Sequence, residues 1–144
     1  MFHHLHHYCW GLMNLNRGAI LARDDRTRRF YFSEAVREFD YVIERAPTDF
    51  ALLPEILTRK GEALIRLGQG PQAVPHLQQA AQLKRDYWPA YAALSDYYRS
   101  QGEIERAKDT LRTGLSFAGN VRALTRRLEE LEAAAPAKKP SRKQ

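Results

Sequence analysis

The feature that most restricts the fold is a repeat. Pro54 to Tyr87, PEILTRKGEALIRLGQGPQAVPHLQQAAQLKRDY, and Trp88 to Val121, WPAYAALSDYYRSQGEIERAKDTLRTGLSFAGNV, are adjacent blocks of equal length that agree at spaced positions. Gly68 falls on Gly102, Ala73 on Ala107, Leu77 on Leu111 and Leu83 on Phe117, while Leu57 meets Tyr91 and Leu64 meets Tyr98. A period of roughly 34 residues describes a supersecondary unit that buries its apolar face only by stacking on its neighbours. Within each block the apolar spacing is helical, and the interruptions at Gly68-Gln69-Gly70-Pro71 and Gly102-Glu103 mark a corner between two helices. Ala73 and Ala107 are small enough to let the second helix approach the first. Pro54, Pro71 and Pro89 fit first-turn positions, where a missing N–H costs nothing.

A third, less regular unit precedes these. Ser33 to Asp49, SEAVREFDYVIERAPTD, places Ala35 where Ala73 stands, Phe39 at Leu77 and Val42 at Ala80. The step from Ala35 to Ala73 exceeds the step from Ala73 to Ala107 by four positions, so an added helical turn is expected near 50–53. Upstream, Trp10 is expected to anchor the first helix, with Leu12, Met13 and Leu15 following. The charged run over 22–30, ARDDRTRRF, then becomes either a longer helix or a salt-bridged loop around Asp24 and Asp25. After the last repeat, Val121, Leu124, Leu128 and Leu131 form one apolar stripe with Asn120 as its expected N-cap. A solenoid needs such a one-sided helix at its end.

These residues together resemble the tetratricopeptide-repeat family. The resemblance implies an all-α, right-handed α-α superhelix of about three helical hairpins and a capping helix. The expected organisation is an irregular repeat over 1–53, repeats over 54–87 and 88–121, a capping helix over 121–135 and a basic tail over 136–144. The family lines a concave groove with set positions of each first helix. Carried onto this chain, they are Glu55, Thr58, Arg59, Glu62, Ile65 and Arg66, then Pro89, Ala92, Ala93, Asp96, Arg99 and Ser100. The resemblance implies a non-enzymatic scaffold or adaptor that holds an extended peptide or a partner helix across Glu62, Arg66, Asp96 and Arg99. The chaperone-binding subgroup uses Lys and Asn to hold a terminal carboxylate. Here Thr58, Glu62, Ala92 and Asp96 stand at those positions, and two acids would repel such a ligand. A segment bearing Lys or Arg beside an apolar anchor is expected instead. The alternative is a self-associating solenoid that stacks on a second copy through an uncovered end.

Charge adds little to this. The net charge of +6 suggests nucleic acid at first sight, but Lys138, Lys139, Arg142 and Lys143 supply four of those charges. Residues 1–135 are left with +2, and the end AAAPAKKPSRKQ reads as a solvated tail. Stacking of bases on Phe30, Tyr31 and Phe32 beside the arginines would need exposed rings, and Phe32 occupies a repeat position that is usually buried.

The start, HHLHH, places His3 and His7 at helical i,i+4 spacing. With His4 and Cys9 they are the candidate ligands for a zinc, nickel or copper ion. No carboxylate or second cysteine lies nearby, so packing is the favoured reading and no cofactor is expected. Cys9, between Tyr8 and Trp10, is expected to be a buried thiol, or else a half-cystine whose partner lies outside the given chain. There is no Gly-rich phosphate loop, no HExxH and no nucleophile elbow. No stretch reaches the ~20 apolar residues of a membrane span. The chain reads as soluble, either cytoplasmic or exported after removal of a leader.

Overall fold

Residues 4–134 are described by a computed structural model, and among them every regular element is a helix. Helix α1 runs Leu5–Asn16 and continues as a π-helical segment, Arg17–Leu21. It is followed by α2 (Asp25–Arg45), α3 (Leu53–Arg66), α4 (Gly70–Leu83), α5 (Trp88–Ser100), α6 (Ile104–Ala118) and α7 (Arg122–Ala133). Three antiparallel hairpins, α1/α2, α3/α4 and α5/α6, stack in sequence. Each first helix touches the next first helix: α1 meets α3, α3 meets α5 and α5 meets α7. The expected tail over 136–144 and His3 lie outside the described residues.

The two regular corners are built alike. Gly68 and Gly102 have φ of 78° and 77°, a conformation that costs glycine nothing. Beyond each, the chain closes the helix end: Gln69 N donates to Leu64 O at 2.9 Å, and Glu103 N donates to Tyr98 O at 2.9 Å. This is the glycine-terminated helix end that satisfies otherwise orphaned carbonyls. Pro54, Pro71 and Pro89 each sit in the first turn of their helices.

Packing follows the small residues. Ala35, Ala73 and Ala107 are fully buried. On the first helices, Gly61 lies so close to Leu77 that a Cβ would stand 2.7 Å from its side chain. In the next repeat Ser95 takes that place, its hydroxyl donating to Ala107 O at 3.1 Å. Leu57, Leu64, Leu77, Tyr91, Leu94, Tyr98 and Leu111 are all buried, as the repeat pattern requires. Leu83 and Phe117 share a repeat position too, yet they lie near the ends of α4 and α6 and stay exposed, with the Arg85 guanidinium over the Phe117 ring at 5.4 Å.

The first hairpin departs from expectation in register. Trp10 is exposed and does not anchor the hairpin. That place is held by Gly11, whose absent Cβ would lie 2.4 Å from the Phe39 ring, just as Gly61 meets Leu77. Gly18 repeats the contact against Phe32 at 2.8 Å. Gly11 on α1 and Gly18 in its π-helical continuation have the same spacing as the two rings on α2, so the antiparallel arms meet twice in the same way. Cys9 is likewise exposed and not a buried thiol, because the face opposite Tyr8 has no helix against it.

Three other local expectations change. The four residues over 50–53 form no added helical turn. They form the second of two successive tight turns over 47–53, with Phe50 N donating to Pro47 O at 3.0 Å and Leu53 N to Phe50 O at 2.9 Å. Asp24 is not part of a loop cluster but the N-cap of α2, accepting from Thr27 N at 2.8 Å, while Asp25 pairs with Arg28 at 3.8 Å inside the helix. The N-cap position of α7 is Val121, and Asn120 accepts from the Thr125 hydroxyl at 3.3 Å instead. Gly119 turns the chain at φ 77° and Val121 N closes onto its carbonyl, which places Asn120 one residue too early to cap.

Candidate functional site

The concave side of the stack is formed by α1, α3, α5 and α7. Between α3 and α5 it opens into a cleft of about 250 Å³ lined by Glu62, Ile65, Arg66, Ala93, Asp96, Tyr97 and Ser100. Six of the expected groove residues, Glu62, Ile65, Arg66, Ala93, Asp96 and Ser100, meet there. Glu55 and Arg59 continue the same strip along α3, with Arg59 Nη1 on Glu62 at 3.1 Å and its Nε 3.9 Å from Glu55. Thr58 does not contribute. It is buried, and its hydroxyl donates back to Pro54 O at 2.8 Å, so it presents no group to a ligand. Ala92 is buried as well.

The charges of α5 are already engaged. Arg127 on α7 donates to both Asp96 oxygens, from Nε at 3.0 and 3.2 Å and from Nη2 at 3.0 Å. Arg99 stands 3.6 Å from Glu130. Asp96 and Arg127 are 31 residues apart. Arg99 and Glu130 share that separation, as two parallel helices in fixed register require. The acids expected to repel a carboxylate are therefore both neutralised, Glu62 by Arg59 and Asp96 by Arg127. Arg66 is exposed at the cleft and makes no ion pair or side-chain hydrogen bond among the described residues. The open charge of the cleft is positive.

Three tyrosines complete this face without having been expected there. Tyr97 lines the cleft and packs its ring so tightly on the start of α4 that a Cβ at Gly70 would stand 2.1 Å away. Its repeat equivalent is the buried Ala63, so the repeat gave no sign of a half-buried aromatic at the cleft. Tyr8 and Tyr87 flank the α3 charge strip. Burial, then a hydrogen bond to Glu55, pushes the Tyr8 phenol well above its usual range. Burial and the Glu55 charge push Tyr87 up to about 12. On the opposite, convex side, α4 and α6 flank a cleft of about 510 Å³ over Tyr91, Leu94 and Tyr98. Its rim is polar and bridged internally, with Arg106 held between Glu103 and the Tyr98 hydroxyl.

Among the described residues, the candidate ligands His4, His7 and Cys9 do not gather into a metal centre. His4 and His7 turn toward α2, where His7 Nδ1 lies 2.5 Å from Glu38 and both rings pack on Tyr41. Cys9 is exposed. No group of three or more His, Cys, Asp or Glu residues could hold an ion among the described residues. Of the aromatic run beside the arginines, Phe32 is buried against Gly18 and Phe30 is exposed. No helix of the described residues is long and apolar enough to cross a membrane.

With this geometry in hand, known proteins place the architecture. The family model for the tetratricopeptide repeat matches residues 64–128. No curated protein matches the chain in sequence. Among solved structures, the TPR2B domain of yeast Sti1, in complex with pHsp70, is 16% identical with a TM-score of 0.71, covering 90% of this chain and 96% of that one. The first TPR of Spaghetti (RPAP3), bound to the HSP90 peptide SRMEEVD, is 19% identical with a TM-score of 0.63, covering 90% and 98%. The Sgt2 TPR domain from Aspergillus fumigatus is 19% identical with a TM-score of 0.62, covering 93% and 90%. Residues 64–128 thus carry tetratricopeptide repeats, and the described chain shares the fold of tetratricopeptide-repeat domains, an all-α superhelix of three hairpins and a closing helix.

Proposed function

We propose that the chain is a non-enzymatic adaptor that holds an extended peptide segment along its concave face, centred on the cleft between α3 and α5. The observation that carries the reading is the unpaired Arg66 beside the apolar surface of Ile65, Ala93 and Tyr97, with every other charge around it already matched. Such a surface suits a segment with one acidic residue next to an apolar side chain, the reverse of the basic ligand expected from the acids alone. One of the similar structures holds a peptide, the acidic SRMEEVD, which supports the same class of ligand here. The position-five and position-nine residues Thr58, Glu62, Ala92 and Asp96 lack the Lys and Asn of the chaperone-binding subgroup. A free terminal carboxylate is therefore not the proposed anchor.

The test is a peptide array probed with the full chain and with its Arg66→Glu variant. Peptides that pair an acid with a large apolar residue should bind the native chain and lose about tenfold in affinity to the variant, the worth of one charge-assisted contact. Arg99→Glu is a poorer probe, since it also sets two acids against each other at Glu130. Array peptides that bind both proteins equally would refute the placement of the site.

A further inference from the structure

The corner of the first hairpin differs from the other two, and the difference has a direction. The stretch from Gly11 to Ala35 is twice as long as the equivalent stretch from Gly61 to Ala73. The surplus enters neither corner as loop, for each of the three corners spans three residues: 22–24, 67–69 and 101–103. It lengthens both arms. The π-helical segment Arg17–Leu21 extends the first arm, and α2 begins some two turns earlier relative to Ala35 than α4 does relative to Ala73. Arg29 marks the level of the neighbouring corner, its Nη1 donating to Leu67 O at 3.4 Å. At 1.5 Å per residue, the chain beyond it projects roughly 10 Å past that corner.

The projecting tip is apolar at its end and basic around it. Ile20 and Leu21 are 76% and 67% exposed, the highest values among the exposed large apolar residues described. The other corners show nothing similar, since Leu67 is buried and its counterpart is Gln101. Arg23 and Arg26 are exposed with no ion pair or side-chain hydrogen bond among the described residues. Residues 17–30 carry five arginines against two aspartates, and one of those aspartates is committed to capping α2.

We infer that this tip docks the protein on an anionic lipid surface, with Ile20 and Leu21 entering the headgroup boundary and Arg23 and Arg26 meeting lipid phosphates. Aliphatic side chains flanked by unpaired guanidiniums match the two components of such a surface, an apolar interior beneath a layer of negative charge. A second copy is a poor occupant, because like-charged tips repel. Nucleic acid is a poor one too, because the most exposed side chains at the tip, Ile20 and Leu21, give bases nothing to stack on and Phe30 offers only one ring behind them.

The full chain is sedimented with vesicles of phosphatidylcholine alone and of phosphatidylcholine with phosphatidylglycerol. Binding should favour the anionic vesicles by about tenfold or more and fall as salt rises. Ile20→Ser with Leu21→Ser, and separately Arg23→Glu with Arg26→Glu, should each remove at least about nine-tenths of it. Deleting residues 136–144, the other basic segment, should leave most of it. Equal binding to both vesicles, native binding by either tip variant, or loss on removing 136–144 would overturn the proposal. A bimane on Leu21→Cys in a Cys9→Ser background keeps the test independent of how the variants fold. Its emission should shift to the blue on anionic vesicles only, and an unchanged spectrum there would overturn the proposal.

Discussion

The hairpins α3/α4 and α5/α6 and the hairpin α1/α2 solve the same packing problem with different materials. In the regular pair, a small residue on the first helix, Gly61 or Ser95, receives Leu77 or the backbone of Ala107, and a glycine of positive φ turns the corner. In the first hairpin, two glycines receive two phenylalanine rings, and the corner is made by extended backbone at Ala22 with a capping aspartate at Asp24. A flat ring lies directly against a bare helix backbone at each of these two points. This also extends the hairpin's packed contact from Gly11 on to Gly18, which supports the longer arms. The same repeat geometry can therefore lose its sequence signature while it gains a new protruding end.

This difference should be measurable as a difference in tolerance. Gly11→Ala and Gly61→Ala are chemically identical changes, but the first drives a methyl to 2.4 Å from an aromatic ring fully enclosed in the core, and the second to 2.7 Å from the branched end of a leucine. A leucine can change rotamer, whereas the Phe39 ring has no space to turn into. Gly11→Ala should lower stability by about 2–3 kcal/mol and Gly61→Ala by about 1 kcal/mol, read from urea unfolding. Equal costs would mean that the two hairpins are equally rigid.

A smaller effect is expected at the other end of the stack. Asp96→Asn removes the charge that Arg127 grips from two nitrogens, loosening α7 on α5. Both side chains are partly solvated, so the loss should be about 0.5–1 kcal/mol, with faster amide exchange in α7 than in α1. Exchange that quickens equally in α1 would show that the stack does not come apart from its end.

The smallest effect is one of pH. The folded chain keeps the Tyr87 proton up to about 12, whereas an unfolded tyrosine sheds it near 10. This contribution to stability is complete below about pH 10 and is lost as pH rises toward 12. Tyr87→Phe should flatten that decline, and an absorbance titration should lose one late-ionising phenol. A variant that declines like the native chain would remove Tyr87 from the buried strip beside Glu55.

The legible parts of this chain are those where one residue type has one structural use. Gly68 and Gly102 could only be corners, Ala73 and Ala107 could only be close approaches, and the prolines could only begin helices. These announced the fold over 54–121. The first hairpin is harder to read because a tryptophan is a conspicuous anchor and a glycine inside a helix is not, although Gly11 and not Trp10 faces Phe39. The site was legible as positions but not as chemistry. Spacing placed Glu62, Ile65, Arg66 and Asp96 on one face, but no local pattern shows that Arg127, on a different helix, already holds Asp96. Thr58 had the right position and the wrong surroundings, buried where its own helix takes its hydroxyl.

The concave cleft as the binding surface is the claim on which the rest depends. It is tested most directly by mapping backbone amide chemical shifts while an array-selected acidic peptide is titrated into the full chain. Shifts should be confined to 62–66 on α3 and 93–100 on α5, and Arg66→Glu should need about ten times more peptide to reach them. Shifts centred on the convex cleft at Gln78, Arg106 and Thr110, with the α3/α5 amides unmoved, would contradict it.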